Sequence, residues 1–396
     1  MIHPPETPEA VTALRADTAG CESVVHFNNA GSSLPPKRVV DRMVRHLRTE
    51  ERIGGYEAAD EVSDELDDVR GTLGALVGAG PDEIAVTDSA SRSWLSVFTA
   101  VGWAEGDRIL TGAAEYSSNV IAMLDLAHRR GVRVEVVPST PDGEIDVDAL
   151  AATLDDDVRM VAVTHAPTNG GLLQPVERIG AVVADSPAFY LVDACQSVGQ
   201  VPIDLTAIGA DALSATGRKY LRAPRGTGFL AVRRGVLDSL HPAHLDLTSA
   251  RIVDGSVRPR DDARRFELFE HNVAAVLGLG EAAHYYREVG PEWAHERITA
   301  LAEHLRAELG RIPGITVTDL GSHRSGIVSF SSERVPAPEL VDSLRERGVH
   351  VSVSRAPSTP WDMADRRLDE LVRASVHYYN TSDEIARLCA ELEATG

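Results

Sequence analysis

The sequence has few cysteines, a deficit of basic side chains and no long apolar run. Its three cysteines, Cys21, Cys195 and Cys389, lack the close spacing of a disulfide framework or a thiolate metal site, which favours a reducing compartment. Thirty-nine Lys and Arg against 60 Asp and Glu give a net charge of −21, the wrong sign for binding nucleic acid or an anionic membrane. No apolar run approaches the roughly 18 residues of a membrane span, and the N-terminus does not resemble a signal peptide. We therefore expect a cytoplasmic protein without a metal, a nucleic-acid partner or a membrane.

What is present matches a water-soluble globular chain. Of the 396 residues, 43% are hydrophobic and 25% are charged, with 32 Gly and 21 Pro, which excludes wholesale disorder. This length predicts roughly two to three domains.

From about Asp60 to Val232, short apolar runs alternate with helical patterns, which predicts an α/β domain with a mainly parallel sheet. The predicted strands are Ile84–Val86, Arg108–Leu110, Val132–Val137, Met160–Thr164, Tyr190–Val192, Ala212–Ala215 and Gly228–Val232. Helices are predicted at Asn119–Arg130 and Val176–Asp185. Such sheets bind ligands at the carboxyl ends of their strands, so we expect the chemistry in the turns that follow them.

The pattern changes after about Gly290 to that of a smaller α+β domain. Its predicted elements are helix Trp293–Gly310, strands Ile315–Asp319 and Gly326–Ser331, helix Ala337–Arg347, strands Val349–Val353 and Val372–His377, and helix Thr381–Ala394. The sequence thus predicts an N-terminal segment at 1–20, a large domain at 21–285 and a small C-terminal domain at 286–396.

Two residues at predicted strand ends suggest a specific chemistry. Asp193 ends the apolar run in FYLVDACQS, and Lys219 follows 26 residues later in SATGRKYLRAPRGTGFL. Alone, each has an ordinary explanation, a helix cap for the aspartate and a solvated charge for the lysine. Together, a lysine that can form a Schiff base and an aspartate that can keep a pyridinium nitrogen protonated indicate a pyridoxal phosphate (PLP) site.

At these residues the sequence resembles the class V aminotransferase family of PLP enzymes. The resemblance extends from HFNNAGSS, at 26–33, to VRASVHYYNTSDE, at 372–384. It implies the fold type I of PLP-dependent transferases, a large domain with a mainly parallel seven-stranded sheet and a small α+β C-terminal domain. It also implies PLP as cofactor, a small amino-acid substrate, and a homodimer with active sites at the subunit interface.

The resemblance assigns the cofactor-ring contacts residue by residue. Lys219 becomes the covalent attachment point of the cofactor and later the base for the substrate α-proton. Asp193 pairs with the pyridine nitrogen, and Gln196 hydrogen-bonds the phenolic oxygen of the cofactor. The alternative for Gln196 is a polar residue at a helix start, and Cys195 is expected to be a packing residue rather than a reactive thiol.

A second group is expected at the cofactor phosphate. Ala90 and Ser91 in AVTDSASRSW match the family's phosphate cradle at a helix N-terminus, where unpaired N–H groups and the helix dipole favour an anion. The alternative is a plain N-cap. Thr216 takes the place of the usual Ser, and Arg218 stands where desulfurases have His, which keeps phosphate binding plausible because arginine is a permanent donor.

Further residues are expected to meet the ring face and the substrate. Tyr116 in GAAEYSSNV replaces the stacking His of the family's E-H-x-x-N segment, and its hydroxyl could give a proton to a leaving group; a core tyrosine is the alternative. Arg373 matches the arginine that clamps the substrate α-carboxylate. Thr168 and Asn169 in THAPTNGGL both align with one family asparagine beside that clamp, and the sequence does not choose between them.

The departures from the family pattern bear on the reaction. Desulfurases use a loop cysteine, but the corresponding stretch, VSVSRAPSTPWDMADRRLDE at 351–370, contains none, which disfavours persulfide chemistry. The run IGGYEAADE at 53–61, with EYSSN and APRGTGFLAVR, is similar to the hercynylcysteine sulfoxide lyases. The leading hypothesis is therefore a carbon–sulfur lyase that performs α,β-elimination on a cysteine-derived amino acid. The alternatives are an aminotransferase, an epimerase or racemase, and a non-catalytic protein of the same fold.

Overall fold

The computed structural model describes residues 8–395. The first seven residues of the predicted N-terminal segment and Gly396 of the predicted C-terminal domain lie outside it. Within the described range, no helix combines the length and the apolar character needed to cross a membrane.

The described chain contains 15 strands and 14 α-helices. The strands are β1 (Val25–His26), β2 (Ile84–Thr87), β3 (Arg108–Thr111), β4 (Arg133–Val136), β5 (Val158–Thr164), β6 (Phe189–Asp193), β7 (Ala212–Thr216), β8 (Gly228–Val232), β9 (Ala250–Val253), β10 (Ser256–Pro259), β11 (Ile315–Val317), β12 (Ile327–Ser332), β13 (Val349–His350), β14 (Ser352–Arg355) and β15 (Glu370–Ser375). The α-helices are α1 (Pro8–Ala16), α2 (Lys37–Ile53), α3 (Gly55–Asp60), α4 (Ser63–Val77), α5 (Ala90–Phe98), α6 (Ser117–Arg130), α7 (Val147–Thr153), α8 (Val176–Val183), α9 (Leu205–Ile208), α10 (Val273–Val289), α11 (Pro291–Leu309), α12 (Ala337–Glu346), α13 (Pro360–Asp365) and α14 (Ser382–Thr395). Short 3-10 helices lie at Ala19–Glu22, Pro81–Glu83, Arg234–Ser239, Ala263–Phe266 and Ala356–Ser358.

The central sheet has seven strands in the order β2-β8-β7-β6-β5-β3-β4. Strand β8 runs antiparallel to both of its neighbours, while β3 to β7 pair in parallel. The predicted α/β fold with a mainly parallel seven-stranded sheet is confirmed.

Both faces of this sheet are buried, as the continuous apolar runs predict. Along β8, Phe229 and Ala231 join one apolar cluster, and Leu230 and Val232 join another on the opposite face. The first cluster continues into the C-terminal part of the chain, where it includes Phe330 of β12. Helices therefore cover the sheet on both sides.

A second sheet, in the order β11-β12-β15-β14, is antiparallel. The prediction of one strand at Val349–Val353 was wrong, because the chain changes partner there: β13 pairs in parallel with β1, and β14 pairs with β15. The last predicted strand lies two residues earlier than expected, at Glu370–Ser375. The predicted domain boundary at residue 285 falls inside α10, so the division into two domains stays a prediction.

Candidate active site

The parallel strands β3, β5, β6 and β7 end at one edge of the central sheet, at Thr111, Thr164, Asp193 and Thr216. Thr164 lies directly beside Asp193 in the β5–β6 register. The turns after these ends contain most of the residues predicted to be functional, because parallel strands deliver their carboxyl ends to the same edge.

Asp193 is a buried carboxylate at the centre of this edge. Its Oδ1 accepts a hydrogen bond from the Cys195 backbone N–H at 2.9 Å, and its Oδ2 accepts one from Asn119 Nδ2 at 3.0 Å. Burial raises the pKa of Asp193, against the lowering effects of these hydrogen bonds and of the Lys219 charge. A cation placed at this carboxylate would be strongly favoured.

Glu115, one residue before the predicted stacking tyrosine, is a second buried carboxylate. Its Oε1 accepts hydrogen bonds from the Tyr116 N–H at 3.0 Å and from Asn119 Nδ2 at 2.8 Å, and it also accepts one from the Thr164 hydroxyl. Its Oε2 accepts one from the Thr164 N–H at 3.0 Å. Burial raises the pKa of Glu115 to about 7, and the Asp193 charge acts in the same direction.

Lys219 lies in the loop between β7 and β8 and is almost fully buried. Its Nζ donates to Cys195 Sγ at 3.2 Å. Asp193 and Lys219 therefore both contact Cys195. The sequence predicted Asp193 and Lys219 in one site. Cys195 itself lies inside the site, but burial raises the pKa of its thiol, which disfavours the nucleophilic thiolate.

The lysine loop is held by close packing on either side of Lys219. A Cβ on Gly217 would lie 2.2 Å from Thr227 Oγ1, so only glycine fits there. Arg222 has a positive φ of 62° and is fully buried. Its guanidinium donates to Leu34 O at 2.8 Å and to the Tyr378 hydroxyl at 3.0 Å. Arg222 thereby fixes the loop to an N-terminal segment at Leu34 and to a C-terminal segment at Tyr378.

Ala90 and Ser91 are the first two residues of α5, whose N-cap is Ser89. The first N–H groups of a helix have no intrahelical acceptor and carry positive partial charge. Gly228 of β8 lies against this turn, because a Cβ there would come within 2.6 Å of Ser89 C and 2.8 Å of Ala90 N. Thr216, on the neighbouring strand β7, donates its hydroxyl to Thr227 O at 3.3 Å. This end of the site has the character of an anion cradle.

Arg218 is directed toward the N-terminal loop. Its Nη1 donates to Gly31 O, and its positive charge lowers the pKa of Arg373. The guanidinium therefore lies close to the predicted carboxylate clamp. A phosphate contact of Arg218 stays a prediction.

Gln196 links the cofactor side of the site to the substrate side. Its Nε2 donates to Ala30 O at 3.1 Å and to Thr168 Oγ1 at 3.3 Å, while its Oε1 is buried without a hydrogen-bond partner in the described part of the chain. With the amide oriented in this way, Oε1 can only accept a hydrogen bond. A cofactor that contacts Oε1 would therefore have to supply the donor.

Arg373 of β15 is buried near the ends of two distant segments. Its Nη1 donates to Thr168 Oγ1 at 2.6 Å and to Thr168 O at 3.2 Å, and its Nη2 donates to Asn28 Oδ1 at 3.4 Å. Its Nε has no hydrogen-bond partner among residues 8–395. Burial lowers the pKa of Arg373 to about 10, and Tyr116 lies close enough to raise it in opposition. Its partners among residues 8–395 are neutral, so this buried guanidinium favours an anion.

Thr168 and Asn169 have different contacts in the structure. Thr168 touches Arg373 directly, whereas Asn169 Nδ2 donates to Thr359 Oγ1 at 2.8 Å. Asn169 Oδ1 is buried, and none of the described residues hydrogen-bonds to it. Thr359 belongs to the stretch 351–370, so this stretch packs onto the site through Asn169.

Tyr116 is the N-cap residue of α6 and is half-buried. The next residues of the chain begin the helix, so the side chain stands at the carboxyl edge of the sheet beside Glu115. Tyr116 is also near Arg373, because its charge raises the pKa of that guanidinium.

The residues present fit pyridoxal 5'-phosphate. Within residues 8–395, neither Asp193 nor Glu115 takes part in an ion pair, so a protonated ring nitrogen would supply the missing positive charge. Lys219 offers the amine, and the start of α5 offers N–H groups to a phosphate. The unpaired buried atoms on Gln196 and Arg373 mark places where a bound molecule would complete the hydrogen bonding.

Sequence reasoning missed Asn119, Arg222 and the connecting role of Glu115. The four-residue spacing of Glu115 and Asn119 could have indicated their contact, because it places both side chains on one side of a helix start. Arg222 gave no local signal, since its partners lie far away in the sequence.

Comparisons with known proteins agree with this geometry. The Aminotransferase class-V family model matches residues 25–388. The chain is 30% identical over 388 residues to a probable cysteine desulfurase of Methanothermobacter thermautotrophicus, covering 96% of each chain. It is 31% identical over 414 residues to probable cysteine desulfurase 2 of Mycobacterium leprae, covering 97% of this chain and 96% of that one. The structure of a cysteine desulfurase from Thermococcus onnurineus NA1 superposes with a TM-score of 0.91 at 23% identity, over 100% of this chain and 99% of that one.

Proposed function

Because the chain belongs to the class V aminotransferase family, whose enzymes use pyridoxal 5'-phosphate on amino acids, we propose that it is a carbon–sulfur lyase. The proposed reaction is α,β-elimination on a cysteine-derived amino acid, without a persulfide on the enzyme. The observation that carries the proposal is the stretch 351–370, which contains no cysteine and lies against the site through the contact of Thr359 with Asn169.

When bound, the cofactor supplies an electron sink that makes the substrate α-proton acidic. Lys219 Nζ takes that proton. The electron pair of the Cα–H bond forms a Cα–Cβ double bond, while the Cβ–S bond breaks and its electron pair leaves with sulfur. Tyr116 donates its hydroxyl proton to the departing sulfur, and water converts the remaining three-carbon enamine to pyruvate and ammonia.

Arg373 holds the substrate in this scheme. Its unpaired Nε and its two Nη groups form a fork that suits an α-carboxylate. Thr168 and Asn28 keep the fork in place, and the nearby Arg218 adds positive charge to the same region.

The contents of the site also argue against persulfide chemistry. Cys195 is the cysteine that contacts Lys219, and burial raises the pKa of its thiol. Cys21 lies in a 3-10 helix before β1, and Cys389 lies in α14. None of the three replaces a thiol on the stretch 351–370, although the relatives named above are called cysteine desulfurases.

The test is product release from purified enzyme incubated with S-conjugated cysteines and their sulfoxides. We expect pyruvate and ammonia in equal amounts from at least one of them, and no such release from Lys219→Ala. Sulfide release from free cysteine that disappears in Cys195→Ser would instead identify a desulfurase. Absence of pyruvate from every compound would reject the lyase.

An aminotransferase and an epimerase or racemase are the alternatives, since Lys219 and Arg373 would serve them equally. Accumulation of pyridoxamine phosphate would identify the aminotransferase. Exchange of the α-hydrogen with solvent deuterium without net product would identify the epimerase or racemase.

We also propose a cytoplasmic homodimer. Helix α2 exposes Val40, Val44 and Leu47 along one side, and the β9–β10 hairpin exposes Ile252 and its cross-strand partner Val257. Exposed apolar patches of this kind mark protein interfaces. The three free cysteines fit a reducing compartment.

A further inference from the structure

Two buried carboxylates share one amide at the edge of the central sheet. Asn119 Nδ2 donates one hydrogen to Glu115 Oε1 at 2.8 Å and the other to Asp193 Oδ2 at 3.0 Å. The expected cofactor contacts place Asp193 at the ring nitrogen but give Glu115 no role. Glu115 is nevertheless one of the most completely buried charged groups in the described chain, at 2% exposure.

The hydrogen bonds fix the direction in which Asn119 points. A flipped amide would set its oxygen against both carboxylates, so the NH2 group must face them. Glu115 is itself held by donors on three elements, namely Thr111 at the end of β3, Thr164 at the end of β5 and the N–H of Tyr116. Its carboxylate therefore anchors Asn119 as a donor to Asp193.

The charges of the two carboxylates are coupled. The Asp193 charge raises the pKa of Glu115. By linkage, the charge on Glu115 must increase the affinity of Asp193 for a proton or for a cation. The neighbouring His165 does not supply that cation, because burial lowers its pKa to about 4. Lys219 donates to Cys195, and within residues 8–395 it forms no ion pair with either carboxylate.

We infer that Glu115 is a positioning residue that acts through Asn119 to make Asp193 selective for a cofactor ring whose nitrogen is protonated. The inference rests on the proposed placement of Asp193 at that nitrogen. Glu115 touches neither cofactor nor substrate in this assignment. Above pH 7, where its carboxyl is ionised, it adds a second negative charge behind Asp193, and it holds the amide that orients that carboxylate.

The test compares two probes on cofactor-free protein: pyridoxal 5'-phosphate and its 1-deaza analogue, in which C–H replaces the ring nitrogen. Dissociation constants are measured at pH 8, above the pKa of Glu115, by quenching of tryptophan fluorescence. The wild type is expected to prefer the natural cofactor, and Glu115→Gln is expected to weaken its binding about tenfold, the scale of one charge-assisted hydrogen bond, while leaving the analogue unchanged.

The matched control is Glu384→Gln, which alters another buried glutamate whose partners are Arg15, Asn380 and Thr381 and not Asn119. It is expected to leave the ratio of the two affinities unchanged. If Glu115→Gln does not fold, Asn119→Ser removes the bridge while leaving the threonine and N–H contacts of Glu115, and it should show the same selective loss.

Equal weakening of both probes, or no change in either, would overturn the inference, since a structural role would not distinguish a nitrogen from a C–H group. Because no substrate is present, failure of the lyase assays would leave this test intact. A wild type that binds both probes equally would overturn the inference together with the placement of Asp193.

Discussion

At the residue scale, Glu115 and Tyr116 are consecutive in the chain but have opposite surroundings. Glu115 is enclosed by donors from β3, β5 and α6, whereas Tyr116 is half-buried at the start of α6. One side chain is thus fixed behind the site, and the other is available to a ligand. Lys219 and Asp193 were predictable because each follows a predicted strand. The contacts of Glu115 and Arg222 were not predictable, because their partners are brought near only in the folded chain.

Tyr116→Phe removes the proposed acid and keeps the ring. We expect kcat/KM for elimination to fall about 100-fold to 1,000-fold, because the leaving sulfur loses its proton donor, while the cofactor absorbance spectrum stays unchanged. Steady-state pyruvate release and the visible spectrum measure the two effects. Tyr286→Phe is the control, since this buried hydroxyl in α10 has no hydrogen-bond partner. An unchanged rate in Tyr116→Phe would exclude the acid role.

The stability of the cofactor-free protein should depend on pH through Glu115. Burial raises the folded-state pKa of Glu115 to about 7. The folded state therefore retains a proton that the unfolded state loses above its ordinary pKa of about 4.5, so this contribution is complete below that value and disappears as pH rises through 7.

Denaturant unfolding at pH 5.5 and pH 8 measures this dependence. The wild type is expected to lose about 2 kcal/mol more than Glu115→Gln between these two values. Equal losses in the two proteins would show that the Glu115 carboxyl titrates in its ordinary range.

At the element scale, the anion cradle depends on how closely β8 approaches the first turn of α5. Gly228 permits this approach, because the positions around it are backbone atoms of Ser89, Ala90 and Ala215 that cannot move like a flexible side chain. The strands of the central sheet were predictable from their apolar runs. The change of strand partner at Val351 was not predictable, because an apolar run does not indicate which strand it pairs with.

Gly228→Ala should push β8 away from α5. We expect a loss of about 1–3 kcal/mol in the free energy of unfolding and weaker cofactor binding, because the added methyl group overlaps backbone atoms. Denaturant unfolding and cofactor titration measure the two effects. Gly235→Ala is the control, since a Cβ there meets nothing within 4 Å. If Gly228→Ala bound the cofactor with wild-type affinity, the close approach of β8 to α5 would not be required for cofactor binding.

At the scale of the whole molecule, the chain has an excess of acidic groups. It also has exposed apolar surfaces on α2 and on the β9–β10 hairpin, and its candidate site contains Arg218, Lys219 and Arg373. The net charge of −21 keeps copies of the chain apart at long range, so any association must come from contact surfaces. Helix α2 and the β9–β10 hairpin offer such surfaces, with Ile252 82% exposed.

Sedimentation equilibrium tests the dimer. We expect a mass of twice the 42.5 kDa chain for the wild type, and Ile252→Glu should shift the equilibrium toward the monomer because it places a charge in the apolar contact. Ile121→Glu, at another exposed apolar position, on α6, should leave the mass unchanged. A monomeric wild type would exclude the proposed assembly.

The hydrogen bond from Arg373 to Asn28 spans 345 residues of sequence, and β1 pairs with β13 across a similar distance. During synthesis on the ribosome, the N-terminal strand and the loop at Asn28 emerge long before their partners exist. The proposed substrate clamp therefore cannot form on a growing chain, and Tyr378, which binds Arg222 of the loop that contains Lys219, is made later still. A message truncated before these codons would yield a protein that contains Lys219 but lacks the contacts that hold its loop in place.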